Sequence, residues 1–286
     1  MPQQNDQMID VQRDLSPAAL ARAIEDNSAD VLMEMGRAGG GEQREEPSVW
    51  WTIGGSPIDY HNCVVRADLA PTEVQEVVAA SMQRMQKRGV PGTWHVGPSM
   101  RPTDLAGRLL SAGLTLGGSE PGMAADLHAL REDLPTPVGL RVERVRDEAD
   151  LAAWSQTLAQ GFGEGEREAT WVAATYRVLG YHADEGPWLH YLARLNGKPV
   201  GTSTVFLGAG VAGVYFVSTV PEARGRGIGA ASTLAGLMEA RQLGYRIGIL
   251  TSSAMGYSVY ARLGFRDYCT IDIYEAPVVR SPSRLD

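Results

Sequence analysis

The segment Arg224-Gly225-Arg226-Gly227-Ile228-Gly229 constrains this chain more than any other stretch. It follows VAGVYFVSTV, a run apolar on both alternations, as a strand buried on both faces requires. Pro221 ends that strand because it cannot donate to a ladder. Beyond the glycines, Ala231, Leu234, Ala235 and Met238 recur at helical spacing, and Gly244 stands where a helix C-cap belongs. The glycines therefore open a helix, where the first amides have no intrahelical partner and the dipole favours an anion. Without Cβ atoms the backbone admits a diphosphate closely, and Arg224 and Arg226 add positive charge.

R-x-x-G-x-G after a Val/Thr-rich strand and a proline resembles the acyl-CoA-binding motif of the GNAT superfamily of N-acyltransferases. It departs from a dinucleotide-binding fingerprint, whose first position is glycine, and from a P-loop, which ends in Gly-Lys-Ser/Thr. Downstream, Tyr260 to Phe265 (YARLGF) resembles the second family signature, a short helix carrying a tyrosine before Gly-Phe. The resemblance covers roughly the C-terminal half. It implies a GNAT-like α/β fold (an α+β mixed sheet) and acetyl-CoA as co-substrate, with no metal. It further implies direct attack of a small-molecule primary amine on the thioester in a ternary complex.

Site residues carry over by position. Val217 and Thr219, with Ser218 between them, match the strand positions whose backbone pairs with the pantetheine arm. The amides of Gly225, Arg226, Gly227, Ile228, Gly229 and Ala230 match the diphosphate cradle. Tyr260 matches the general acid that protonates the departing thiolate, and Tyr257, one turn earlier, competes for that role. Ser253 stands where the family often has asparagine; its hydroxyl can cap the next helix and touch the pantetheine. No general base is visible. Glu164, Glu166 and Glu168 fall in a region that lines the family's acceptor site, but glutamates in a glycine loop also suit a solvated surface. Phe162 and Trp154 are candidates for the acceptor pocket, with core packing the preferred reading of Trp154.

Charge and composition narrow the partners. A net charge of -8 argues against nucleic acid, whose binders neutralise phosphates. No apolar run is long enough to span a bilayer, and MPQQNDQMID lacks the apolar core of a secretion signal. The two cysteines, Cys63 and Cys269, read as reduced thiols, so the expectation is a cytoplasmic protein without a membrane partner. A homodimer is compatible with this reading. None of the five histidines sits in a metal-ligand pattern; His182 and His190 read as surface or strand residues. Two other functions share the loop: a non-catalytic acyl-CoA sensor or assembly module, and a nucleotide-phosphate binder with no thioester.

Element order suggests a repeat. Ser16-Pro17 starts a helix to about Asn27, and a second helical stretch covers Ala29–Arg37. GEQREEP reads as a charged surface loop. Strands follow at Ser48–Ile53 and Tyr60–Ala67, then a helix from Pro71 to about Lys87 and a strand at Thr93–Val96. A helix from Thr103 to Ser111 leads to a closing strand pair, Leu114–Leu116 and Gly122–Leu127. The C-terminal half shows the same order, and LLSAGLTLGGSEPGMAADL echoes VYARLGFRDYCTIDIYE. The expectation is a degenerate GNAT-like domain at 1–135, without a phosphate loop, and an acyl-CoA-binding domain at 136–286. The linker is Glu132–Gly139. Trp50, Trp51 and Trp94 read as core or interface residues, and the first domain is expected to shape the acceptor pocket or an interface.

Overall fold

The computed structural model of the chain describes residues 11–181 and 186–277. The sequence predicts fraying from Met1 to about Asp14; residues 1–10 of that stretch, and His182, lie outside the described residues. Ser16 caps α1 (Pro17–Ala38) by accepting from the Ala19 amide. The expected break near Asn27 does not occur. Asn27 is buried, donates to Gly208 O at 2.8 Å and accepts from the Tyr215 hydroxyl at 2.7 Å. A residue that reads as a helix boundary serves a tertiary hydrogen-bond network instead.

After α1 come β1 (Glu42–Glu46) and β2 (Val49–Ile53), paired as a hairpin. The run expected to be a loop is thus an edge strand, and its exposed charges suit an edge that must not recruit another chain. The first half continues with β3 (Cys63–Ala67), α2 (Val74–Arg88), β4 (Thr93–Val96), α3 (Leu105–Ser111) and β5 (Thr115–Asp126). Here too the structure corrects the reading: the expected strand pair is the single long strand β5. The second half runs β6 (Leu140–Arg144), α4 (Glu148–Phe162), α5 (Glu166–Leu179), β7 (Trp188–Leu195) and β8 (Lys198–Gly208). It ends with β9 (Val211–Thr219), α6 (Ile228–Gln242), β10 (Ile247–Thr251), α7 (Tyr257–Leu263) and β11 (Arg266–Glu275). Asn196 and Gly197 join β7 to β8 with φ of 50° and 82°, the left-handed pair a two-residue hairpin favours.

Among the described residues, eleven strands form one mixed sheet in the order β1-β2-β3-β4-β11-β5-β10-β9-β8-β7-β6. Parallel pairing occurs at β3/β4 and β9/β10, each joined through a helix; the other neighbours are antiparallel. The two halves exchange their final strands. β5 follows α3 yet bonds to β10, β11 follows α7 yet bonds to β4, and the two bond to each other.

Helices cover both faces. Leu20 and Ile24 of α1 pack on Ala124, Ile247 and Ile249, while its Ala29 and Met33 pack on Cys63 and Val65. Its Val31 and Met35 meet Leu151, Trp154 and Tyr176, so α4 and α5 share that face. On the opposite face, α2 and α3 close over Val64, Trp94 and Tyr274, and α6 and α7 close over Met123, Val214 and Leu250. Trp51 and Trp94 belong to this core, and Trp50 lies under the Arg66 guanidinium at 4.4 Å.

Strand exchange makes each half incomplete without the other. Fragments 1–135 and 136–286 are predicted to lack a cooperative thermal transition when purified apart and to regain one when mixed. Circular dichroism melts of the two fragments and of their mixture check this.

Candidate active site

The parallel pairing of β9 with β10 stops early. Ala212 pairs with Gly248 and Gly213 with Ile249; beyond these the strands separate. β10 continues against β5, with Thr251 opposite Gly122, while β9 continues against β8. A bulge steers β9 away. Phe216 has φ of 52°, a costly angle for a large side chain, and the register with β8 shifts between Thr202 and Thr204. Thr202, fully buried, holds the bulge by donating to Phe216 O at 2.8 Å.

The bulge has two consequences. It turns the adjacent side chains of Tyr215 and Phe216 to the α1 face, where both line a cavity. It also leaves the far end of β9 with one free edge. Val220 N–H donates to Val200 O at 3.0 Å, so strand alternation directs Ser218 toward β8 and the main chain of Val217 and Thr219 toward the gap. The Ser218 side chain lies buried against Gly161 of α4, where a Cβ on Gly161 would stand 2.5 Å from Ser218 Oγ. The side chains of Val217 and Thr219 turn the other way, toward Gly229.

Below Val217 and Thr219, α6 begins. Gly225 and Gly227 take φ of 73° and 82°, and no side chain caps the helix. Among the described residues no amide from Gly225 to Ala230 donates to a protein acceptor; the first in this stretch to do so is Ala231, to Gly227 O at 3.0 Å. A row of free N–H groups at a helix start can hold an anion. The two arginines differ. Arg224 donates from Nε to Thr219 O at 3.1 Å and from its terminal nitrogen to Gly161 O at 2.7 Å, fastening the loop to β9 and α4. Arg226 is exposed and makes no ion pair among the described residues.

Across the gap, Ser253 Oγ accepts from Gly256 N–H at 3.2 Å and caps the approach to α7. Tyr260 is buried in the apolar cluster that includes Ala230 and Leu234 of α6, with Val217 packed against it. Its hydroxyl has no hydrogen-bond partner among the described residues and is not sealed from solvent. Burial pushes this phenol well above its ordinary value, so the proton stays on oxygen at neutral pH. Tyr257 is exposed and donates to Asp267 at 2.9 Å, away from the cluster. Of the two tyrosines, Tyr260 is the one that packs in a cluster with Val217 of β9 and Ala230 of α6.

The cavity on the α1 face measures about 430 Å³. It runs from Tyr215, Phe216 and Thr251 at the gap, under Ser28, Ala29 and Leu32 of α1, to Val65 and His95 of the first half. Phe162 and Trp154 are not among its walls: Phe162 is exposed and Trp154 is sealed in the core. The loop glutamates do not converge on it either. Glu168 accepts from Gly165 N–H and pairs with Arg167, Glu166 is exposed, and Glu164 lines a separate cavity with Asp59 and Tyr60. Burial, then Glu168 and Asp59, raise the Glu164 carboxyl. His190 lies on β7, fully buried against Thr204 at 2.8 Å, and burial pushes it down to about 3. The first half lines most of this cavity, as one of the two roles expected for it requires, though the sequence named none of the wall residues. The Thr202–Phe216 bulge was not legible; its one signal was two aromatics in succession.

The matching gap between β3 and β4 is closed by the chain itself. Arg101 N–H donates to Ala67 O at 2.9 Å and Leu69 N–H to Arg101 O at 3.2 Å, an isolated parallel bridge at the end of β3. No glycine opens α2, and Glu73 accepts from Ala70 N–H there at 2.8 Å.

Residues 151–265, which hold the gap, the amide row and Tyr260, match the model of the acetyltransferase (GNAT) family. The chain carries a GNAT acetyltransferase domain. It is similar to proteins named mycothiol acetyltransferase from Thermobispora bispora and Streptomyces bingchenggensis. Identity to the first is 28% over 62% of this chain and 72% of that protein; to the second it is 30% over 40% and 44%. The chain thus spans less than half the length of the second relative. A GCN5-related N-acetyltransferase from Kribbella flavida shares the fold, with a TM-score of 0.68 at 17% identity over 87% of this chain and 95% of that one. A tandem GNAT protein from the clavulanic acid biosynthesis pathway does so at a TM-score of 0.58 and 16% identity, over 82% and 79%.

Within the GNAT domain Gly227 is the glycine with least freedom to change. Its φ is left-handed and a Cβ would stand 2.6 Å from Pro135 O. Gly227→Ala is predicted to cost about 1–2 kcal/mol and to displace the free amides. Thermal melts should show a lower midpoint, and calorimetric titration a several-fold weaker affinity for CoA.

Proposed function

We propose that this acyltransferase moves an acetyl group from acetyl-CoA to a primary amine of a small molecule, by direct attack in a ternary complex. One observation carries the reading: the gap between β9 and β10 has a row of free amides at the start of α6, with Tyr260 packed in the same cluster as Ala230 and Val217, and residues at the gap also line a cavity of about 430 Å³ under α1. The relatives named mycothiol acetyltransferase support a small-molecule acceptor.

In this reading the amides of residues 225–230 hold the diphosphate, and the main chain of Val217 and Thr219 pairs with the pantetheine as another strand would. Arg224 acts through the loop it fastens. The acyl group reaches the bulge at Phe216, and the acceptor occupies the cavity under α1. The amine lone pair forms the C–N bond, the C–S bond breaks, and its electron pair goes to sulfur. Tyr260 donates its hydroxyl proton to that thiolate. The halves divide the work: residues 136–286 bind the cofactor, and residues 1–135 supply most of the cavity wall.

Tyr260→Phe tests the reading. Removal of one general acid should lower kcat about 10²-fold or more while CoA binding stays within twofold. A thiol-release assay over a panel of primary amines, with parallel CoA titration, provides both numbers. An unchanged rate would favour a role for Tyr260 in packing alone.

A further inference from the structure

The acyl-transfer reading leaves the proton of the attacking amine without a recipient, and the loop glutamates stand outside the cavity. The carboxylates that line it all come from the first half: Glu25, Asp59, Asp68 and Glu120. Three are placed elsewhere. Glu25 accepts from Ser99 N–H at 3.0 Å and from Ser99 Oγ at 2.8 Å, and Asp59 accepts from the Tyr60 amide at 2.8 Å. Asp68 is exposed just beyond β3, at the far end of the cavity from Thr251, where its main chain pairs with that of Arg101.

Glu120 differs. It lies on β5 two residues before Gly122, the partner of Thr251. Thr251 is the last residue of β10 and forms the rim of the open gap. Gly122 faces α1, since a Cβ there would touch Ile24, and the period of two puts Glu120 on the same face. Its carboxylate has no hydrogen bond or ion pair among the described residues. Strand exchange brings it there: in the strand order β5 stands between β10 and β11, not beside β4.

We infer that Glu120 is the base for the acceptor, a catalytic residue donated by the first half to the reaction of the second. This rests on the acyl-transfer reading. The acceptor arrives as an ammonium ion; Glu120 removes one proton, directly or through one water, and frees the lone pair. The amine forms the C–N bond, sulfur leaves with the C–S electron pair and takes the Tyr260 proton. The second nitrogen proton returns through water to the Tyr260 oxygen. The sum is one amide, one thiol and one proton released to solvent, with no other reactant.

The test compares Glu120→Gln and Glu120→Asp with the wild-type chain, using acetyl-CoA and an amine that the wild type acetylates. Glu120→Gln should lower kcat at least about tenfold, as loss of a general base does, with CoA affinity within twofold and an unchanged melting midpoint. Glu120→Asp should recover part of the rate. A loss below tenfold in Glu120→Gln, or a loss that comes with weakened CoA binding or a lowered midpoint, overturns the assignment. Failure of the wild type to acetylate any amine would instead sink the acyl-transfer reading, so the two failures are distinguishable.

Discussion

The site depends on hydrogen bonds that β9 and β10 do not make. Two parallel strands 4.8 Å apart would normally zip along their length. Here two partners pull them apart: β8 holds the bulged end of β9 through Thr202, and β5 holds β10 as far as Thr251. The edge left open on β9 is a template for main-chain pairing. The helix that starts beneath it has amides with nothing to donate to. In the proposed function a cofactor with an amide-bearing arm and a diphosphate would meet both needs at once; the strained angle at Phe216 belongs to the bulge that leaves the edge open.

The first half shows the same architecture with the opposite outcome. Its parallel pair also separates after two residue pairs, but there Arg101 folds back and bonds to Ala67 and Leu69 at the end of β3. What remains is a scaffold. It contributes α1 as the roof of the cavity and β5 as the neighbour of β10. An exchanged strand is a stiff way to carry a side chain from one half into the working gap of the other, because register fixes both its position and its face.

Legibility in the sequence followed the range of the forces. The amide row, the Asn196-Gly197 hairpin, the Thr93–Val96 strand and the packing of Trp94 rest on local geometry or on burial, and a short window contains them. Three features needed the whole molecule. Asn27 looks like a helix stop until its partners on β8 and β9 are known. Gly117, Gly118 and Pro121 look like a break in β5, yet β11 bonds along the strand and holds it extended. Arg224 looks like a phosphate ligand by charge, and its hydrogen bonds tie it to two carbonyls. Fold class, with strands and helices alternating in two similar halves, was readable because the pattern repeats. Strand order was not, since β5 and β11 carry no mark of which half they will join.

The central claim is that acetyl-CoA lies in the β9/β10 gap with its diphosphate on the start of α6. Hydrogen–deuterium exchange with and without CoA tests it most directly, because those amides have no protein acceptor to slow their exchange. The account predicts strong protection on binding, confined to peptides covering residues 217–219 and 225–230. Protection that appears elsewhere, with these amides exchanging as fast as in the free protein, would contradict it.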